Sequence, residues 1–144
     1  MKNNRAVIIW LFTGFVLVFM MVVVGGITRL TGSGLSMADW KPIMGAIPPM
    51  NEAEWIDKFE LYQQTPEFEK VNSSYTLIDF KSIFWWEFIH RLFARIIGIV
   101  FIVPFIFFWV KKKFDKALLK KVFIIFILGL LQGLLGWYMV KSGL

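Results

Sequence analysis

Cysteine is absent from this chain, and histidine occurs once, as His90. Without a thiol there is no disulfide and no thiolate metal site, and cysteine usage cannot report the redox compartment. One imidazole cannot build a zinc or copper centre, which takes three or four protein ligands. Acids are scarce as well: 10 Asp and Glu stand against 16 Lys and Arg, a net charge of +6. Such an excess would suit nucleic acid. Here, however, the bases gather beside apolar runs rather than on a polar face, so no nucleic-acid partner is expected. Internal repeats and low-complexity tracts are also missing.

What is present is apolar. Of 144 residues, 58% are hydrophobic, and the mean hydropathy is +0.66. That excludes an ordinary water-soluble domain and indicates an all-α membrane protein. A bilayer-spanning helix needs about 20 apolar residues. Three runs qualify, at about 6–28, 84–110 and 117–140. The first is too long for the apolar core of a signal peptide and ends in GGITRLTGSG rather than a small-x-small cleavage site, so it reads as a retained helix.

Charge sets the expected orientation. The connection KKKFDKALLKK carries six lysines and one acid, and Lys2 and Arg5 sit at the N-terminus. The positive-inside rule places both in the cytoplasm and the long connection of about 29–83 outside. Trp10 and Trp109 then fall at inner ends, and Trp85, Trp86 and Trp137 at outer ends, as interfacial anchors.

The outer connection is too long to be structureless and is expected to hold short helices. Asn51 and Glu54 have capping-box spacing, and Trp55, Phe59 and Tyr62 form an apolar stripe that stops before Thr65-Pro66. The stripe suits a helix lying on the membrane or on the bundle, or a substrate lid. Gly32, Ser33 and Gly34 mark a turn after the first helix. Thr76 and Asp79 predict the cap of the second helix. From there to Val110 it would be about 50 Å long, well beyond the roughly 30 Å of hydrocarbon. Pro104 predicts a kink.

That register puts His90 near the outer edge of the oil, with Glu87 just beyond. Glu87, His90 and Arg91 lie at helical spacings of three and four and share a face, which continues through Ala94 and Gly98. Gly129, Gln132, Gly133 and Gly136 make a matching stripe on the third helix, and Gly14, Gly25 and Gly26 are candidates on the first. A single imidazole can supply one axial ligand to heme iron, because the porphyrin supplies the other four. Arg91 and Arg95 could pair with heme propionates, and Glu87 is placed for proton transfer. Plainer readings stay open. His90 could be an interfacial residue, Arg91 and Arg95 could snorkel to headgroups, and Glu87 could merely pair with Arg91.

Four motifs in order carry a resemblance: GG-x-TRLT-x-SGLS from Gly25, YQQ-x-PEF from Tyr62, E-x-x-HR from Glu87, and QG-x-LGWYMV-x-SGL from Gln132. Together they resemble heme A synthase, the cytochrome oxidase assembly enzyme, of the type shared by proteobacteria-like bacteria and mitochondria. The resemblance implies an oxidoreductase of eight helices in two four-helix bundles. It oxidises a methyl group of heme O to the formyl group of heme A. It further implies that the three spans here belong to the N-terminal, substrate-side bundle, with heme b held by the other. Glu87 is then expected in catalysis, and His90 beside or on the substrate heme iron. The expected setting is the bacterial inner membrane, with heme O synthase or oxidase assembly factors as partners.

The fourth helix and the second bundle of that family lie beyond Leu144, so the chain reads as an N-terminal portion, inactive by itself. Two further functions remain: a non-catalytic heme-binding module in which two copies each offer His90, as a homo-oligomer, and an oxidase-assembly scaffold that docks through its glycine stripes.

Overall fold

The computed structural model describes residues 5–38 and 47–142. The stretch at 39–46, just after the first motif, the last two residues of the fourth motif and Lys2 lie outside the described residues. Five helices follow in order: α1 (Arg5–Leu30), α2 (Glu52–Gln63), α3 (Pro66–Lys70), α4 (Leu77–Val110) and α5 (Lys116–Ser142). Among the described residues there is no strand. The protein is thus all-α, and α1, α4 and α5 are long and apolar enough to cross a membrane. The two short helices lie in the long α1–α4 connection, as expected.

Local chemistry sets the ends. α1 stops in a Schellman turn: Ser33 N–H donates to the Thr28 carbonyl at 2.9 Å and Gly32 N–H to the Arg29 carbonyl at 3.2 Å. Such a turn needs a left-handed residue, which glycine supplies without a Cβ penalty. Gly32 takes that position, with a φ of 62°. α4 opens with a complete capping box. The Thr76 N–H donates to Asp79 at 2.9 Å, and the Asp79 N–H returns the bond to the Thr76 hydroxyl. The Asn51 cap of α2 differs from that pattern. Asn51 accepts from the Glu54 N–H at 2.9 Å, but the Glu54 carboxylate reaches past it to the Met50 N–H, at 2.8 Å.

α1 packs along α4 as the main helix pair. α4 has 34 residues. A helix of that size is about 50 Å long, so roughly 20 Å must project beyond the hydrocarbon. Its first turns carry Phe80, Ile83 and Phe84, which water would not tolerate. α2 covers them. Trp55 meets Phe84 edge-on with ring centroids 4.9 Å apart, and Tyr62 stacks on Phe80 at 5.1 Å. Phe80 and Tyr62 are fully buried. Burying a side chain of that size contributes about 1.5–3 kcal/mol. The Trp55–Phe59–Tyr62 stripe therefore lies on the projecting end of α4.

At the opposite, lysine-rich end, Val7, Trp10, Phe105, Phe108 and Val122 form a second cluster. Trp10 reads from the sequence as an interfacial anchor, but it is buried, and its indole Nε1–H donates to the Val100 carbonyl at 2.9 Å. The reason lies one turn further along α4. Pro104 has no N–H, so the Val100 carbonyl lacks its helical partner. In hydrocarbon an unpaired carbonyl is costly, and Trp10 satisfies it from the neighbouring helix. α4 stays one continuous helix through Pro104. Trp109, by contrast, is exposed.

α5 touches the pair chiefly through this end, with Val122 buried and Phe126 stacked on Phe101 and Phe105. Beyond it α5 is exposed from Ile127 to Met139. A Cβ placed at Gly129, Gly133 or Gly136 would meet nothing within 4 Å. Among the described residues, nothing packs on this glycine stripe.

Candidate functional site

The site grows from the Schellman turn. Having closed α1, the backbone turns back across α4, and Ser33 and Ser36 are buried there. The Ser36 hydroxyl and the Met37 N–H both donate to Oε2 of Glu87, at 2.7 and 2.6 Å. Oε1 of Glu87 accepts from Arg91, from Nε at 3.0 Å and also from Nη2. Arg91 Nη2 donates in turn to the Met37 carbonyl at 3.0 Å.

Glu87, 3% exposed, thus holds a carboxylate whose two oxygens each have two donors. The motif TRLT-x-SGLS and the motif E-x-x-HR are two halves of one clasp. A buried carboxylate is tolerable only on such terms. Of the sequence readings of Glu87, the ion pair with Arg91 is present. Arg91 turns inward to the clasp rather than snorkelling. Arg95 is half-buried one turn further along α4.

His90 lies on the seam with α1. A Cβ added at Gly25 would sit 3.4 Å from its Nε2 and 3.7 Å from its Cδ2. The edge of the imidazole therefore rests close to bare α1 backbone. A methyl at 25 would just touch the ring, and a longer side chain pointing that way would displace it. Of the three glycines noted on α1, Gly14 and Gly26 have open space instead. The ring is half-buried, and among the described residues it makes no hydrogen bond. The face predicted to continue through Ala94 and Gly98 does not stay covered: Ala94 is exposed, and a Cβ at Gly98 would meet nothing.

The structure thus brings Glu87, Arg91 and His90 together at the α1–α4 seam. Ser36, the Met37 backbone and the specific place of Gly25 are not singled out by the sequence. A buried serine so far along the chain from its carboxylate has no local signature. In chemical terms, the site offers one imidazole without a hydrogen bond among these residues, beside a fixed and fully bonded ion pair. Among the described residues no group of three or more His, Cys, Asp or Glu could hold a metal ion. The donor set fits one axial position of a heme iron and no more.

The fold and this seam define a multi-pass helical membrane protein with a single inward-set imidazole. Comparison with known proteins narrows the class. Residues 8–144 match the family described as cytochrome oxidase assembly protein (COX15-CtaA), and the chain belongs to that family. Its relatives include the heme A synthase of Nitrosomonas eutropha, 54% identical over 143 residues, covering 99% of this chain and 40% of the relative. The heme A synthase of Flavobacterium psychrophilum is 56% identical over 146 residues, covering 100% and 43%. That of Parvibaculum lavamentivorans is 51% identical over 142 residues, covering 99% and 41%. The chain therefore spans about two fifths of the length of these relatives. No solved structure gives a match.

Proposed function

We propose that this chain forms the substrate-heme side of a heme A synthase, at which a methyl group of heme O is oxidised to the formyl group of heme A. The observation that carries the reading is the position of the only imidazole. His90 sits at the α1–α4 seam against Gly25, one turn from Glu87, in a chain more than half identical to proteins named heme A synthase.

In this reading His90 lies beside or on the iron of heme O, the substrate. Glu87 takes part in catalysis from within the clasp, as a fixed negative charge one turn from the imidazole. Its four bonds restrain it from wandering, so the charge is pre-organised rather than mobile. Ser36 and Met37 hold Glu87, and Arg91 balances its charge. Arg91 and Arg95, on the next turns of α4, are the candidates for pairing with the anionic propionates. Heme b, the cofactor that the family resemblance implies, supplies electron transfer when bound. With one imidazole already assigned, we assign it to the length of the relatives beyond the matched portion. The setting is the bacterial inner membrane. The N-terminus and the Lys111–Lys121 region face the cytoplasm, and the α1–α4 connection faces outward. Heme O synthase or oxidase assembly factors are the proposed neighbours.

The experiment is to place His90→Ala and Glu87→Gln in a protein of the relatives' full length carrying this sequence, and to extract its hemes. Both variants should reach the membrane, and both should lose heme A. Normal heme A in both would refute the roles.

A scaffold reading is favoured by one observation, the open glycine stripe of α5. It predicts that His90→Ala has no effect on oxidase assembly.

A further inference from the structure

At the lysine-rich end, α4 and α5 border a groove of about 320 Å³, lined by Phe105, Trp109, Lys116, Leu119, Lys120 and Phe123. Its lining is almost wholly apolar, the methylene stems of Lys116 and Lys120 included, and both lysines are exposed. We propose that this groove binds one anionic phospholipid, with its phosphate between Lys116 and Lys120 and an acyl chain along Trp109, Phe105 and Phe123.

The arrangement follows from helix geometry. Lys116 and Lys120 are one turn apart, so their side chains rise on the same face of α5. Both are exposed. The acid nearest in sequence is Asp115, and its carboxylate is already engaged. It caps α5 by accepting from the Leu118 N–H at 2.7 Å. The positive end of the α5 dipole lies at the same place. Lys111, Lys112, Lys113 and Lys121 lie close by in the sequence and raise the local potential.

Charge alone would draw any anion, including free phosphate. The apolar floor decides for a lipid. Phe105 and Trp109 stack with ring centroids 5.8 Å apart along one wall, and Trp109 and Phe123 stay more than half exposed. A free phosphate would leave that floor unused, whereas an acyl chain covers it. Exposed tryptophan beside lysine at a helix end is also the usual composition of the headgroup level. Basic crevices between membrane helices take anionic headgroups for the same reason. This site lies at the opposite end of α4 from His90 and does not depend on the heme reading.

The test is native mass spectrometry of the purified chain with phosphatidylglycerol and phosphatidylcholine in competition. One phosphatidylglycerol should be retained, with about tenfold preference over phosphatidylcholine. Lys116→Gln with Lys120→Gln should erase the preference. Lys111→Gln with Lys113→Gln should reduce it less than about twofold. Inorganic phosphate at millimolar level should not compete. Circular dichroism checks that each variant keeps its helix content. Equal loss in the two double variants would mean diffuse attraction and would overturn the site. So would displacement by inorganic phosphate, or an unchanged preference in the Lys116/Lys120 variant.

Discussion

Both ends of α4 are packed with rings, but only one adds a clasp of polar bonds. At the end bearing the α1–α4 connection, where Trp55 and Tyr62 of α2 lie on Phe84 and Phe80, Ser36, Met37 and Arg91 also close on the Glu87 carboxylate. At the lysine-rich end, stacked and tilted rings do the holding, with one indole bond to the Val100 carbonyl. Aromatic contacts are broad and tolerate small shifts. A carboxylate with four donors fixes one geometry. The polar end is where His90 sits, one turn from the clasp. Precision therefore lies where the imidazole is, and adaptable packing lies where only the helices must stay together.

Glu87→Ala should erase this contrast. It takes the carboxylate from a partly buried guanidinium and from the buried Ser36 hydroxyl, and should cost about 3 kcal/mol. The loss is expected in a thermal melt in detergent, together with faster proteolysis of the segment around 31–37. An unchanged melt would mean that the clasp is idle.

A more modest change is expected at the other end. Trp10→Phe keeps a ring but leaves the Val100 carbonyl unpaired, a cost of about 1–3 kcal/mol. Pro104→Ala restores an N–H one turn after Val100, so Trp10→Phe should cost much less in that background. A double-mutant cycle of thermal stabilities checks the coupling. Additive costs would show that the indole bond does not answer the proline.

The slightest change concerns the packing of α2 on α4. Burial raises the pKa of Tyr62 above its ordinary value, opposed in part by the 2.8 Å hydrogen bond from Asn72. A raised folded-state pKa favours the neutral phenol in the fold. Its contribution is fully present below about pH 10, the unfolded value, and is lost as pH rises toward the folded one. The α2 end should therefore loosen above about pH 10, read as hydrogen exchange of α2 amides. Tyr62→Phe should abolish that pH dependence.

Much of the scaffold was legible in the sequence because it is local. The spans follow from apolar length, the Thr76–Asp79 cap from spacing, and the turn at Gly32 from its glycine. The stripe of α2 was legible too, although its partner was not. The His90 face was visible only as a helical spacing. What closes the clasp was not visible, because Ser36 and Glu87 lie far apart in the chain and meet only through a backbone turn. The burial of Trp10 is hidden for a related reason. A tryptophan near a helix end suggests an interface until the carbonyl freed by Pro104 on another helix is taken into account. The open glycine stripe of α5 shows the opposite limit, since small residues mark a face without naming what meets it.

Whether His90 is the group that meets heme iron can be decided by an absorption and resonance Raman titration of the purified chain with iron protoporphyrin. An imidazole-ligated spectrum should appear in the parent chain and vanish in His90→Ala, with helix content unchanged by circular dichroism. The same ligated spectrum in His90→Ala would contradict the assignment, because the iron would then be held by another group.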